Sequence, residues 1–295
     1  MAKSKAPEQY PQGRPTVVIE ANGRNGQYWK DLWNYRGLAF LMARRDVTVR
    51  YKQTIIGFGW AIITPIFNMI IMSLIFGTFA GFRETSEIPY NISVFVGALG
   101  WGMFVRGVNT GAGALAGAGL AGKVYFPRLI NPISSVLSSL IDTAISYLVL
   151  GLMFVGYGYV PPLRMLLSFP LLLPPVILGL GAGFVIGSYS IKWRDLRSIY
   201  PFALTLGQYV TPVAYSAENA ANVMQKVGEG TLSLYQMFSL VNPMTGYELA
   251  YKWSILTDVQ FDVRAFLVSV AWTVPVLWWG IVRFRKAERD FVDIV

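Results

Sequence analysis

The sequence predicts an all-α integral membrane protein. It would have six transmembrane helices per chain, an N-terminal interfacial helix and both termini in the cytoplasm. Three observations predict this. The 295 residues are 54% hydrophobic and only 14% charged, whereas a soluble domain carries roughly 25% charged residues. Six runs approach the ~20 apolar residues that a bilayer-crossing helix needs. They lie at 58–82, 90–110, 133–157, 165–190, 198–216 and 265–284. Finally, Lys and Arg are distributed unevenly among the segments between the runs.

Taken in order, residues 1–29 form a polar tail and 30–57 an interfacial helix with an elbow. Residues 58–295 form the six-span domain, with an outside segment at 217–264 and a short cytoplasmic tail. The first 57 residues are polar and have no apolar core of the signal-peptide type, so the N-terminus is expected in the cytoplasm. Wound as a helix, residues 30–52 show two apolar stripes, Trp33, Phe40, Val47 and Tyr51 on one and Leu38, Met42 and Val49 on the other. A helix lying on a membrane shows one stripe; two stripes fit a helix wedged between membrane and protein. Gly57 and Gly59 then permit a turn into the first span. Pro65, Pro170, Pro174, Pro175, Pro201, Pro212 and Pro275 fall inside the apolar runs, which membrane helices tolerate better than soluble ones. The segment 217–264 mixes acids with Tyr235, Phe238, Tyr247, Tyr251 and Trp253. It reads as short amphipathic helices broken near Asn242 and Pro243, at the membrane surface or dipping into it. A loosely ordered loop is the alternative.

Ten Lys and Arg residues precede position 58. Lys123 and Arg128, then Lys192, Arg194 and Arg197, then Arg283, Arg285, Lys286 and Arg289 fall on the same side of the six spans. The opposite side has only Arg83, Arg164, Lys226, Lys252 and Arg264. Basic residues accumulate on the cytoplasmic side, which places both termini there. The net charge of +9 is thereby explained by topology, and no nucleic-acid partner is expected. The chain has no Cys and no His. Thiol chemistry, His-based triads and the usual zinc ligands are excluded; no catalytic or metal site is expected. Residues 117–124, GAGLAGKV, nearly fit a phosphate-binding loop, but Val124 stands where a hydroxyl must hold magnesium. The flanks are membrane spans, so the glycines from Gly107 to Gly122 read as small residues for close helix approach. Any ATP used here is bound by another subunit.

Two ionisable residues lie inside spans, Arg106 and Asp142. Such residues are functional hypotheses by default. The two run on antiparallel neighbours at compatible depth, which favours an intramembrane ion pair over transport coupling, because a proton path would show further acids.

Four stretches then carry a family resemblance. VRYKQTIIGFGWAIITP at 49–65 resembles the entry to the first span of bacterial polysaccharide-export ABC transporter permeases. These are the membrane subunits of O-antigen, capsule and teichoic acid exporters, and the pattern is most like the O-antigen type. KVYFPRLINP at 123–132 resembles their first long cytoplasmic loop and IKWRDLRSIYP at 191–201 the second. LVNPMTGYELAYKW at 240–253 resembles the segment before the last span. The likeness covers about residues 30–285.

The resemblance implies a homodimer in the inner membrane, with two ATP-binding cassette subunits that hold ATP and magnesium, and a lipid-linked polysaccharide as cargo. It implies no cofactor in this chain. It makes Lys123, Tyr125, Phe126, Pro127 and Arg128, with Trp193 and Arg194, candidates for contact with the ATPase. The bland alternative for 123–128 is an interfacial turn. Phe67, Phe76, Phe79, Phe82, Tyr200, Phe202, Tyr209 and Tyr215 are candidates for a sugar-conducting channel; facing lipid or packing in the core is the alternative for each. Arg44, Arg45, Arg50 and Lys52 sit near the membrane surface, for anionic lipid, for a diphosphate headgroup or for the partner subunit. Two competing functions remain at this point, an ABC permease for a small molecule or lipid, and a membrane glycosyltransferase.

Overall fold

A computed structural model describes residues 25–52, 59–82, 88–115, 127–215 and 240–292, and these are almost wholly helical. Helix α1 spans Asn25–Asn34 and α2 spans Arg36–Lys52. The interfacial region is therefore two helices, where one was expected. Tyr35 forms the break, its carbonyl taking bonds from the amides of Leu38 and Ala39. The elbow expected at Gly57 lies outside the described residues.

Helix α3, Gly59–Met72, runs on as a π-helix over Ser73–Phe79. Then follow α4, Tyr90–Gly113, and α5, Ile130–Tyr157, closed by Gly158 at φ +66°, a left-handed cap that glycine adopts without strain. A 3₁₀ turn, Leu163–Leu167, and the short α6, Ser168–Leu171, lead into α7, Leu173–Ser190. Helix α8 covers Leu196–Val210, α9 covers Thr245–Ile255 and α10 covers Val263–Val292. Asp262 caps α10, its Oδ1 accepting the Ala265 amide at 3.0 Å.

Five segments are long and apolar enough to cross a membrane: Gly59–Phe79, Tyr90–Gly113, Ile130–Tyr157, Leu163–Ser190 and Val263–Glu288. They correspond to five of the six runs. The run at 198–216 is different. Its helix, α8, has 15 residues, only ~22 Å at 1.5 Å per residue, against a hydrocarbon core of about 30 Å. It ends where Thr211 turns extended.

The centre of the bundle is made by glycine. On α4, a Cβ at Gly107 would stand 2.5 Å from the Val176 carbonyl oxygen. On α7, a Cβ at Gly179 would stand 2.3 Å from Phe104 O, and one at Gly183 2.3 Å from Val108 O. Each helix thus rests on the other's backbone, at a four-residue spacing known to join membrane helices. Helix α10 joins through Gly280, where a Cβ would meet Gly181 O at 2.4 Å. Helices α3 and α8 stand outside this centre. Met72 is the buried residue of α3, and no residue of α8 is buried.

The bundle has two distinct ends. At the proximal end Tyr28 and Leu32 of α1 pack with Leu115, Leu129, Phe184 and Phe284. At the distal end lie Tyr90, where α4 begins, and Ala214, just past α8. Helix α4, 24 residues long, separates them by ~36 Å.

Candidate functional site

The proximal half contains a polar hub. Asp142 of α5 is 7% exposed. Its Oδ2 accepts Arg106 Nη1 of α4 at 2.9 Å and Arg50 Nη1 of α2 at 2.5 Å. Its Oδ1 accepts the Tyr51 phenol. One buried carboxylate therefore joins three helices. The α5 face around it is hydroxylic. Ser138, Ser139, Thr143 and Ser146 donate to carbonyls three or four residues back on their own helix, which satisfies them without a partner helix and keeps the surface slim. Burial and the neighbouring carboxylate raise the Tyr51 pKa, so the phenol remains a donor at physiological pH. The sequence placed Arg50 with the surface cations and paired Asp142 with Arg106 alone. The adjacent Arg50 and Tyr51 at the end of an apolar-striped helix were the available signal for the rest.

Of the other surface cations, Arg44 and Lys52 are exposed. Arg45 bonds its neighbour Asp46 at 3.1 Å, with 57% of its side chain exposed. Nothing draws these three inward.

The distal end contains an aromatic cluster. Phe76, on the π-helical stretch, stacks on Phe82 with centroids 6.3 Å apart. It also meets Tyr209 at 6.2 Å and Tyr215 at 5.7 Å, and Phe82 meets Tyr215 at 6.2 Å. Four of the eight aromatic channel candidates thus converge, joining the end of α3 to the end of α8. Nearer the middle, Gln208 Nε2 of α8 approaches Asn68 Oδ1 of α3 at 3.4 Å. Phe67, Phe79 and Phe202 are exposed, Phe79 at 84%. Tyr200 instead lines an apolar cavity of about 430 Å³ with Trp101, Phe104, Ile186 and Leu204.

Of the loop candidates, Lys123, Tyr125 and Phe126 lie outside the described residues. Pro127 is buried, and the Arg128 amide donates to Glu288 Oε1 of α10 at 3.3 Å. In the second loop Trp193 is 52% exposed. It stacks on Tyr189 at 5.6 Å, with Lys192 Nζ 5.3 Å above it, and Arg283 of α10 covers Tyr189 at 5.1 Å. Arg194 is exposed. The two loops therefore meet the same C-terminal end of α10.

The segment before the last span was expected as short amphipathic helices at the membrane surface or dipping into it, and α9 is the described helix of that segment. It is buried on nearly every side, with Trp253 alone of its eleven residues outside the buried set. Gly246 explains the depth, since a Cβ there would lie 2.0 Å from Ala265 O of α10. Buried with it are Glu248, 0% exposed, and Lys252, 2% exposed. Neither residue was among the expected site residues. The signal was an acid and a base one helical turn apart within TGYELAYKW.

Apolar spans tied backbone to backbone, with one charged hub inside, define a multi-pass helical membrane protein. No family model matches the chain. The chain is 27% identical over 272 residues to the O-antigen export system permease protein RfbA of Myxococcus xanthus, covering 90% of this chain and 98% of that protein. A protein of the same name from Klebsiella pneumoniae is 26% identical over 265 residues, 88% of this chain and 95% of its own length. Another from that organism is 25% identical over 184 residues, 61% of this chain and 70% of its own length. The chain is thus similar, nearly end to end, to O-antigen export permeases, the kind of protein its sequence motifs resemble.

Proposed function

We propose that the chain is the channel-forming membrane subunit of an ATP-driven exporter. Its cargo is a lipid-linked polysaccharide, an O-antigen, carried from the cytoplasmic to the outer face of the bacterial inner membrane. The observation that carries this reading is the near end-to-end similarity to proteins named as O-antigen export permeases. In this reading two copies form a homodimer, and two separate ATP-binding cassette subunits bind ATP and magnesium. The proximal end is cytoplasmic. Helix α8 and the turn after it make the sixth crossing.

The structure supports the reading in its division between centre and rim. A polymer needs a wide path, and the glycine-packed centre of one chain has no room for it. The converging aromatics lie at and beyond the distal ends of the little-buried α3 with its π-helical extension and α8. A second copy would set two such rims around a shared path, where flat apolar faces offer sugar rings weak, repeated contact. Arg44, Arg45 and Lys52 at the proximal surface suit an anionic headgroup, from the cargo diphosphate or from lipid. The loops at 123–128 and 193–194 suit the ATPase, which couples its closure to the bundle through α10.

Depletion of the chain in cells tests the proposal. Lipid-linked polymer is expected to accumulate on the inner leaflet, with loss from the surface. Surface polymer at normal amounts after depletion rejects polysaccharide export and leaves a smaller lipid or drug as cargo.

A further inference from the structure

The turn after α8 is held by other elements as well as by α8, whose Gly207 carbonyl accepts the Thr211 amide and hydroxyl. Thr211, Pro212, Val213 and Ala214 are all buried, while no residue of α8 is. Tyr90 of α4 donates its phenol to Ala214 O at 2.6 Å. Asn242 Nδ2, just before α9, donates to Thr211 Oγ1 at 2.9 Å. Lys252 Nζ of α9 donates to Pro212 O at 2.6 Å and to Tyr215 O at 3.3 Å. Tyr215 is also a member of the aromatic cluster, so the ammonium grips the backbone that carries one of its four rings.

Helix α4 makes the space for this grip. A Cβ at Gly97 would sit 2.8 Å from Lys252 Cε and 2.1 Å from Val213 O. One at Gly100 would sit 2.7 Å from Glu248 Oε2. Glu248 lies one turn before Lys252, and neither of its carboxyl oxygens has a hydrogen-bond partner among the described residues. A buried anion without donors is costly. Burial accordingly pushes the Glu248 carboxyl up to about 8, against the opposing pull of Lys252. Burial pushes Lys252 down to about 8, against the pull of Glu248 and Asp258.

We propose that Lys252 is a positioning residue for the distal aromatic door, and that Glu248 is the proton site that sets its grip. With Glu248 neutral, the ammonium is committed to the carbonyls of Pro212 and Tyr215. When Glu248 gives its proton to water, the new carboxylate draws the ammonium back along α9 and the turn at 211–215 is released. This rests on the reading of the aromatic cluster as the door of an export path. The other titratable groups facing the pair are Tyr90 on α4, Tyr247 and Tyr251 on α9, Tyr147 of α5 through its bond to Tyr251, Tyr215 in the turn and Asp258 beyond α9. Arg164 is turned onto Trp253 and Leu256 O, and α10 offers Ser269 and Thr273 hydroxyls. Tyrosines ordinarily titrate near 10, above the range in which Glu248 changes charge. Lys252 loses its charge in the same range as Glu248, but its neutral amine still has two N–H donors for the same two carbonyls, so only the carboxylate pulls it away.

The cysteine-free chain permits a direct test. Val213, 0% exposed, is replaced by Cys, and labelling by a soluble maleimide is followed from pH 6 to 9 in the full chain in lipid nanodiscs. A Thr257→Cys chain, exposed at that position, corrects for thiol ionisation. Corrected labelling is expected to rise about tenfold across this range as Glu248 ionises. With Glu248→Gln it should stay slow throughout; with Lys252→Met it should be fast throughout; Lys252→Arg should restore protection. A pH rise that persists in Glu248→Gln, or equal protection in Lys252→Met and the parent, overturns the proposal. If Lys252→Met does not fold, the Glu248→Gln profile decides alone. Labelling needs neither cargo nor ATPase, so its failure is separate from a failure of the export reading.

Discussion

Asp142 accepts from three side chains on two other helices. Arg50 and Tyr51 reach it from the interfacial α2, and Arg106 from α4. Asp142→Asn keeps the shape and leaves two cations without their counter-ion. Those side chains are 45% and 36% exposed, so solvent offsets part of the 3–5 kcal/mol typical of breaking a fully buried pair, leaving about 1–3 kcal/mol. A thermal midpoint lowered by several degrees is expected in detergent, with Arg106→Met costing less because Arg50 still holds the carboxylate. An unchanged midpoint would remove the hub from the fold's stabilising contacts. Glu248 makes a second prediction, on pH. Its pKa is raised from 4.5 to about 8 by burial, so the folded chain retains a proton that an unfolded chain releases. The stability contributed by this group is complete below about 4.5 and is lost as pH rises through about 8. Glu248→Gln should flatten that decline, measured as thermal midpoint against pH. Lys252, lowered from 10.5 to about 8, acts in the opposite sense between those values.

At the scale of elements, the reciprocal glycine contacts of α4 and α7 predict a sharp contrast. Gly183→Leu places a side chain where a Cβ alone would meet Val108 O at 2.3 Å. It should cost more than the 1–3 kcal/mol of ordinary overpacking, because backbone must move, and folded yield should collapse. Gly151→Leu on α5, with nothing within 4 Å of its Cβ position, should be tolerated; size-exclusion profiles of the two variants separate the cases. The α4 half of this packing was legible in sequence, from Gly107 and Gly111 in a glycine-rich apolar run; which helix they meet, through Gly179 and Gly183, was not. Helix α9 was not legible. Its tyrosines and charges suggest a surface, and the room that admits them belongs to Gly97 and Gly100 on another helix. The run at 198–216 is helical only as far as Val210 for a related reason. Apolar composition continues through 211–215, but those residues form a turn held by Tyr90, Asn242 and Lys252, whose reach across the fold leaves no mark in the local pattern.

For the whole molecule, the two ends take different partners in the proposed exporter. At the proximal end, Trp193→Ala with Arg194→Ala removes exposed contact surface and leaves the stacked Tyr189 and Arg283 in place. Transport and cargo-stimulated ATP hydrolysis by a co-purified ATPase are expected to fall severalfold, with the chain still folded. Unchanged coupling would assign the ATPase contact elsewhere. The basic residues supply an expected orientation, and the hub was readable in part from two intramembrane charges. The joining of Phe76, Phe82, Tyr209 and Tyr215 was not readable, since position in a run gives depth but not azimuth. The glycine seam has one more consequence, which concerns history. Helices joined backbone to backbone accept almost no new side chain at the seam. The outward surfaces of α3 and α8 touch little of their own chain, and they accept many. Such a molecule can diversify toward different polymers along its rim while its centre is held to nearly the same residues.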